Sequence, residues 1–392
     1  YVFLVLRIYY NPYFVFLFVL YLMNYSYWEN KEWFNGNDFT IVGSGIVGLT
    51  CAISLREKYP NSKIIILEKG VLPQGASTKN AGFACFGSVS ELLSDLKTHS
   101  SQEVIQLVSS RWQGLKTLRK IVGDKNLDYQ HNFGYELFLD NNSFEESVNK
   151  IYDINELLIP LFGENVFNIE DNKFSFENCI PKYIMNSFEG QIDTGKMMSH
   201  LLKTCLQSGV KILNNTSVNY SENNTNVKVH TNNGDFSTSK LLFATNGFSK
   251  KLIDENIVPA RAQVLVTKPI KNLKVNGTFH LEQGYYYFRN IDQRILIGGG
   301  RNLDFKTEST MEFGQTSLIQ SKLENLLRNT IIPNINFEID YSWSGIMGIG
   351  DKKKPILKQL SNNVSCGVRL GGMGVAIGAS VGKDLADLVG KS

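Results

Sequence analysis

Three glycines spaced G-x-G-x-x-G, Gly43, Gly45 and Gly48, stand in the stretch DFTIVGSGIVGLTCAISL that begins at Asp38. The first permits a tight turn, the second lets backbone approach a pyrophosphate, and the third lets a helix pack on a strand. Amide groups at the start of such a helix face the anion. Glu68, some twenty residues beyond Gly48, puts a carboxylate where a ribose donates hydrogen bonds. Together they predict a dinucleotide site, with the neighbouring Ile46 and Lys69 counted in it. A glycine turn alone is a weak signal, because such turns also serve packing. A strand before it, a helix after it and Glu68 give it weight.

Two distant segments favour a flavin over a nicotinamide. GASTKNAGFACFG, Gly75 to Gly87, supplies Ser77, Thr78, Lys79 and Asn80, then the small pair Ala81 and Gly82. Hydroxyls and amides there suit phosphates, and bare backbone lets a flat ring lie close. Gly371, Gly372 and Gly374, with Met373 among them, open the last helix. Its amino end aims partial positive charge at a ring that accumulates electrons. In YYYFR, alternation places Tyr285, Tyr287 and Arg289 on one strand face and Tyr286 and Phe288 on the other. Tyr287 and Arg289 are therefore the candidate catalytic pair, gripping a carboxylate through charge-assisted bonds. The alternative is an aromatic sheet with Arg289 at its rim. Cys85, near the expected ring, reads as a small buried apolar residue. His99, His131, His200, His230 and His280 lack metal-ligand spacing, so no metal is expected.

The elements that must position these residues follow from patterning. TIV before Gly43 ends a strand, and Ile46, Leu49, Ala52, Ile53 and Leu55 recur at helical spacing up to Pro60. KIIILEKG is a buried-type strand, so a parallel βαβ sheet is implied. The stretch 91–185 reads as helical and inserted, and 255–340 has the alternation of an antiparallel sheet. The expected fold is α/β: a Rossmann-like cofactor domain over 38–90, 186–254 and 341–392, with an inserted α+β substrate domain over 91–185 and 255–340.

The chain has 392 residues, 40 basic and 37 acidic, for a formal net charge of +3. No long basic run or aromatic-basic stripe occurs, which argues against nucleic acid. Five cysteines without CxxC spacing indicate neither a disulfide framework nor zinc, and point to a reducing, cytoplasmic setting. Residues 1–22 are almost wholly apolar but are broken by Arg7 and Asn11-Pro12, so 1–23 are read as a leader outside the fold, with translation starting at Met23. The alternative is an N-terminal membrane anchor, and membrane association is expected only through that segment.

The motifs IVGSGIVGL with Glu68, GASTKNAG, GQIDTGKMMSHLL, LLFATNG, ARAQVLVT, YYYFRNIDQRILIGGG and RLGGMGVAIGASVGKDLADL occur in that order. From Asp38 to about Gly390 the chain resembles FAD-dependent oxidoreductases of the D-amino acid oxidase type, which include glycine, sarcosine and gamma-glutamylputrescine oxidases. The resemblance implies FAD held at Gly43, Gly45, Gly48, Glu68, Ser77, Thr78, Asn80, Gly82, Gly372 and Gly374, with Val218 touching the adenine region. Gly247 closes the strand of LLFATNG within the same site. It also implies hydride transfer from a carbon bearing an amine nitrogen to flavin N5, giving an imine, with oxygen or a carrier as the electron acceptor. Two departures stand out. YSWSGIMGIGDKKKP carries Ile346 and Met347 where relatives place a carboxylate-binding arginine, so Arg289 or Arg301 grips instead, or the substrate lacks an α-carboxylate. The same stretch lacks the flavin-tethering cysteine of sarcosine oxidases, which implies noncovalent FAD. STKNAG is more similar to the D-amino acid dehydrogenase and putrescine-derivative branch. Oxidation of a hydroxy acid, or a flavin-binding subunit that needs a partner, remain alternatives.

Overall fold

The strand Asn37–Val42 lies in the middle of an eight-stranded sheet because its apolar residues face neighbours on both sides. The protein is described by a computed structural model over residues 25–389, so the apolar leader lies outside the described residues. Phe236–Phe243 and Ile64–Leu67 flank the central strand in parallel, and Val364–Val368 and Lys211–Leu213 extend the parallel set. A parallel strand covered on both faces needs no polar alternation, and all four residues of Ile64–Leu67 are buried. Antiparallel strands Ile356–Gln359, Val227–Thr231 and Val218–Glu222 complete this sheet.

Helices Ile46–Lys58, Thr194–Gln207 and Gly374–Val389 cover one face through a core that includes Leu49, Leu55, Met197, Leu201, Ala379 and Leu385. Small residues set how closely these helices approach. A Cβ on Gly382 would stand 2.0 Å from Thr50 Oγ1, and one on Gly114 would stand 2.0 Å from the Ala376 carbonyl oxygen. Gly114 belongs to the long helix Ser101–Val122, which starts at a Ser100–Glu103 capping box. The sequence assigns that helix to the inserted substrate domain. Its first half packs with Phe138, Ile154 and Leu158 through Val104 and Val108, and its second half lies along the final helix, where Leu115, Leu118 and Val122 join the same core.

A second sheet runs in the order Ile339–Ile349, Val258–Thr267, Arg294–Gly299, Tyr286–Ile291, Thr278–Leu281, Gly134–Glu136, Lys182–Asn186 and Phe167–Asp171. It is antiparallel except where Thr278–Leu281 pairs with Gly134–Glu136. Three of its strands come from the stretch read as helical, and Ile339–Ile349 crosses the boundary drawn at 341 because it pairs along its length with Val258–Thr267. On one face Phe279 stacks on Phe288 at 4.5 Å within an aromatic core that includes Tyr286. The other face carries Tyr287, Val264, Val266 and Leu296, packed with Ala81 and Phe83 of the loop after Glu68. Trp343 Nε1 donates to the Lys79 carbonyl at 3.0 Å and ties the two bodies together. Among the described residues, no helix is long and apolar enough to cross a membrane.

Candidate active site

Val42 leads into Gly43, whose φ of +104° suits glycine. A Cβ there would stand 2.8 Å from the Ala244 carbonyl oxygen. Gly43, Gly45 and Ile46 line a cavity of about 960 Å³, whereas Gly48 does not. Gly48 packs the helix onto the turn: its Cβ position is 1.9 Å from the Gly43 carbonyl oxygen. Glu68, 7 % exposed, lines the same cavity. Its Oε2 accepts from the Ser44 amide at 3.0 Å and the Ser44 hydroxyl at 2.7 Å, and its Oε1 accepts from the Gly70 amide at 3.0 Å. The carboxylate is thus fixed in direction with acceptor capacity left over.

The loop after Glu68 folds on itself around Asn80. Asn80 Oδ1 accepts from the Gly82 amide at 2.9 Å and from Thr194 Oγ1 at 2.8 Å, while its Nδ2 donates to the Ser77 carbonyl at 2.7 Å. Ser77 Oγ accepts from the Ile46 amide at 2.9 Å and links this loop to the glycine turn. Lys69, Ser77, Asn80, Ala81, Gly82 and Val218 all line the cavity. Thr78 does not, and its hydroxyl donates to the Pro73 carbonyl at 2.7 Å. Gly247 also stands outside, backed against the Met347 carbonyl oxygen, while its neighbours Thr245 and Asn246 reach the cavity. At the far end Gly372, Met373 and Gly374 line it where the last helix begins. Leu370 and Gly371 hold that bend by donating to Asn246 Oδ1 at 3.0 Å and the Gly348 carbonyl at 2.9 Å.

Tyr287 contributes to the cavity wall, with its hydroxyl pushed up to about 12 by burial. Arg289 shares its strand face as the alternation requires, but runs behind Gly82 and does not line the cavity. It is 3 % exposed, burial presses its guanidinium down to about 10, and its Nε has no hydrogen-bond partner among the described residues. Cys85 is buried at the cavity edge, its thiol pushed well above the usual range by burial. Arg301 does line the cavity, on the turn after Arg294–Gly299, together with Tyr285, Met311 and Phe313. Reading the sequence alone does not find Thr216, Thr245, Asn246, Met311 or Phe313. The run GGG before Arg301 is a local signal that the chain turns there.

The parallel sheet, the glycine turn with Glu68 and a long cavity shared with a second sheet define a dinucleotide-dependent oxidoreductase. Residues 38–388 match the family described as FAD dependent oxidoreductase, and the chain belongs to that family. No curated protein matches the chain in sequence. Among solved structures, L-proline dehydrogenase from P. horikoshii is similar with a TM-score of 0.71 and 17% identity, covering 91% of this chain and 93% of that one. Glycine oxidase from Geobacillus kaustophilus gives 0.71 and 17%, covering 91% and 95%. L-amino acid deaminase from Proteus vulgaris gives 0.70 and 15%, covering 91% and 94%. These likenesses are of fold. The residues present fit FAD: the cavity is at the upper end of the ~300–1,000 Å³ range of cofactor and ligand sites. It is lined by turn glycines, by an oriented carboxylate and by a hydroxyl- and amide-rich loop.

Proposed function

We propose that the protein oxidises the C–N bond of an amino acid or amine that carries a carboxylate, with FAD held noncovalently at the residues described above. Arg301 carries this reading. Its guanidinium lies over the Phe305 ring at 4.7 Å, lines the cavity, and makes no ion pair or side-chain hydrogen bond among the described residues. The nearby Glu308 is already engaged by Arg261, with Arg261 NH2 to Oε1 at 2.8 Å. Burial pulls Arg301 down, partly offset by Tyr285 and Glu308, yet a guanidinium stays charged. A carboxylate is the partner that satisfies it. The structural neighbours named glycine oxidase, L-proline dehydrogenase, iminodiacetate oxidase and L-amino acid deaminase support the same substrate class.

FAD, when bound, supplies the two-electron acceptor. Arg301 fixes the acid end of the substrate, and Tyr287, Phe83 and Val264 present an apolar wall that limits water at the reacting carbon. Five unpaired cysteines suit a reducing cytoplasm.

Purified protein should be yellow, release flavin on denaturation, and bleach without oxygen on addition of one or more acidic amines. Bleaching by hydroxy acids alone would overturn the amine reading. Arg301→Met should raise KM for the bleaching substrate about 100-fold, the loss expected when a desolvated charge pair is broken, with flavin content unchanged. An unchanged KM sinks the assignment of Arg301.

A further inference from the structure

The wall that Tyr287 helps to form carries a buried polar assembly with no part in holding a carboxylate. His280 sits directly opposite Tyr287 across the strands Thr278–Leu281 and Tyr286–Ile291, so both side chains emerge on the cavity side, and both line it. On its other flank the imidazole Nε2 stands 3.0 Å from Glu189 Oε2. Glu189 is fully buried, and it also accepts from Thr278 Oγ1 at 3.3 Å and Asn186 Nδ2 at 3.3 Å. Gly134 makes room for it, since a Cβ there would fall 2.0 Å from Glu189 Oε2. Nδ1 of His280 has no hydrogen bond to any described residue. An apolar pair of similar volume would join these strands without the cost of desolvating two ionisable groups. A histidine held by a buried carboxylate, with one nitrogen unengaged at a reaction cavity, is the arrangement of a positioned proton acceptor.

The groups around the ring agree. Burial by itself would push the imidazole down, but the Glu189 charge and hydrogen bond, with Glu91 and Glu136 further out, lift it to about 9. Cys85 and Tyr287, the other acids beside it, are both pushed up by burial and stay neutral, and Arg111 lies beyond Cys85.

We propose that His280, oriented by Glu189, accepts the proton that the substrate's nitrogen or oxygen loses as the adjacent carbon is oxidised. The N–H or O–H bond breaks with its electron pair left on the heteroatom, and the proton goes to Nδ1. The C–H hydrogen leaves with its two electrons to the cofactor of this family. Glu189 is the positioning residue: Nε2–H donates to it in both charge states of the ring. The inference rests on the family's oxidoreductase chemistry and applies to amine and hydroxyl substrates alike, so it can fail while the amine reading stands, and the reverse.

The first test needs no substrate. Dithionite titration of the FAD-loaded protein, with a reference dye, gives the midpoint potential as a function of pH. Electrons added beside His280 raise its proton affinity. The wild-type plot should therefore steepen near pH 9, from one proton per two electrons to two. In His280→Gln that bend should vanish, and in Glu189→Gln it should move down by at least one pH unit. A merely structural pair would give three plots of the same slope throughout, offset at most by a constant from the lost charge, and the absence of a bend in wild type overturns the proposal. Glu189→Gln is nearly isosteric, so its bend decides if His280→Gln does not fold. With a bleaching substrate, flavin reduction should rise with pH towards about 9 and fall ~100–10,000-fold in His280→Gln; a rate within threefold of wild type overturns it. Cys85, Glu189 and His280 place ligand atoms within 4.8 Å of one another. One equivalent of zinc in the purified holoenzyme, lost in Cys85→Ser, would make His280 a ligand and also overturn it.

Discussion

Gly48→Val protein should purify colourless, with FAD affinity reduced more than 100-fold. The position 1.9 Å from the Gly43 carbonyl oxygen is backbone against backbone, so no side chain can swing away to admit a new Cβ. Nor can the turn shift: the Gly43 amide donates to the Leu67 carbonyl at 2.8 Å, and the Gly43 φ of +104° sets the path of the chain. The helix Ile46–Lys58 must therefore move off the strand, and its first-turn amides leave the place where a pyrophosphate would meet them. Overpacking a close contact typically costs about 1–3 kcal/mol, which a domain of ordinary stability survives. The chain should thus remain folded by circular dichroism while failing to bind flavin in a fluorescence titration. Gly195→Ala, exposed on the helix Thr194–Gln207, serves as the control and should bind FAD normally. A yellow Gly48→Val protein of normal affinity would refute the packing role of this glycine.

Glu308→Ala should destabilise the protein by about 3–5 kcal/mol, because it strands Arg261 as a buried charge without its partner. Glu308 is 0 % exposed and binds Arg261 with both oxygens, from Nε at 2.8 Å and from NH2 at 2.8 Å. Gln263 Nε2 donates to it at 3.0 Å, and the Arg261 amide donates to its carbonyl at 2.7 Å. These bonds hold the segment that carries Arg301, Met311 and Phe313 against the strand Val258–Thr267. Substrate affinity should therefore fall together with stability, although residue 308 is outside the cavity lining. The double variant Arg261→Met/Glu308→Leu removes both charges and should recover most of the stability, since an apolar pair of similar size substitutes well for a buried ion pair. Chemical denaturation of the three proteins decides this. A Glu308→Ala loss below about 1 kcal/mol, the range of exposed ion pairs, would show that the pair contributes little.

What the sequence determined by itself is what lies close along the chain. Gly43, Gly45, Gly48 and Glu68 belong to one strand, turn, helix and strand, so their spacing already encodes the geometry. The loop Gly75 to Gly87 and the bend at Gly371 to Gly374 were legible for the same reason: bare backbone and hydroxyls are local properties. Alternation correctly put Tyr287 and Arg289 on one strand face. It could not say where along that face the loop at Gly82 crosses, and that crossing leaves Tyr287 in the cavity and Arg289 behind it. The helical reading of 91–185 could not say which neighbour Ser101–Val122 would pack on, and Gly114 against Ala376 brings it onto the final helix. The His280–Glu189 pair and the Arg261–Glu308 pair had no sequence signal, because each joins residues brought together only by strand register and loop packing. Local backbone chemistry thus specified the cofactor turn, while the wall of the cavity that carries Tyr287, His280 and Arg301 was set by how the second sheet docks on the first.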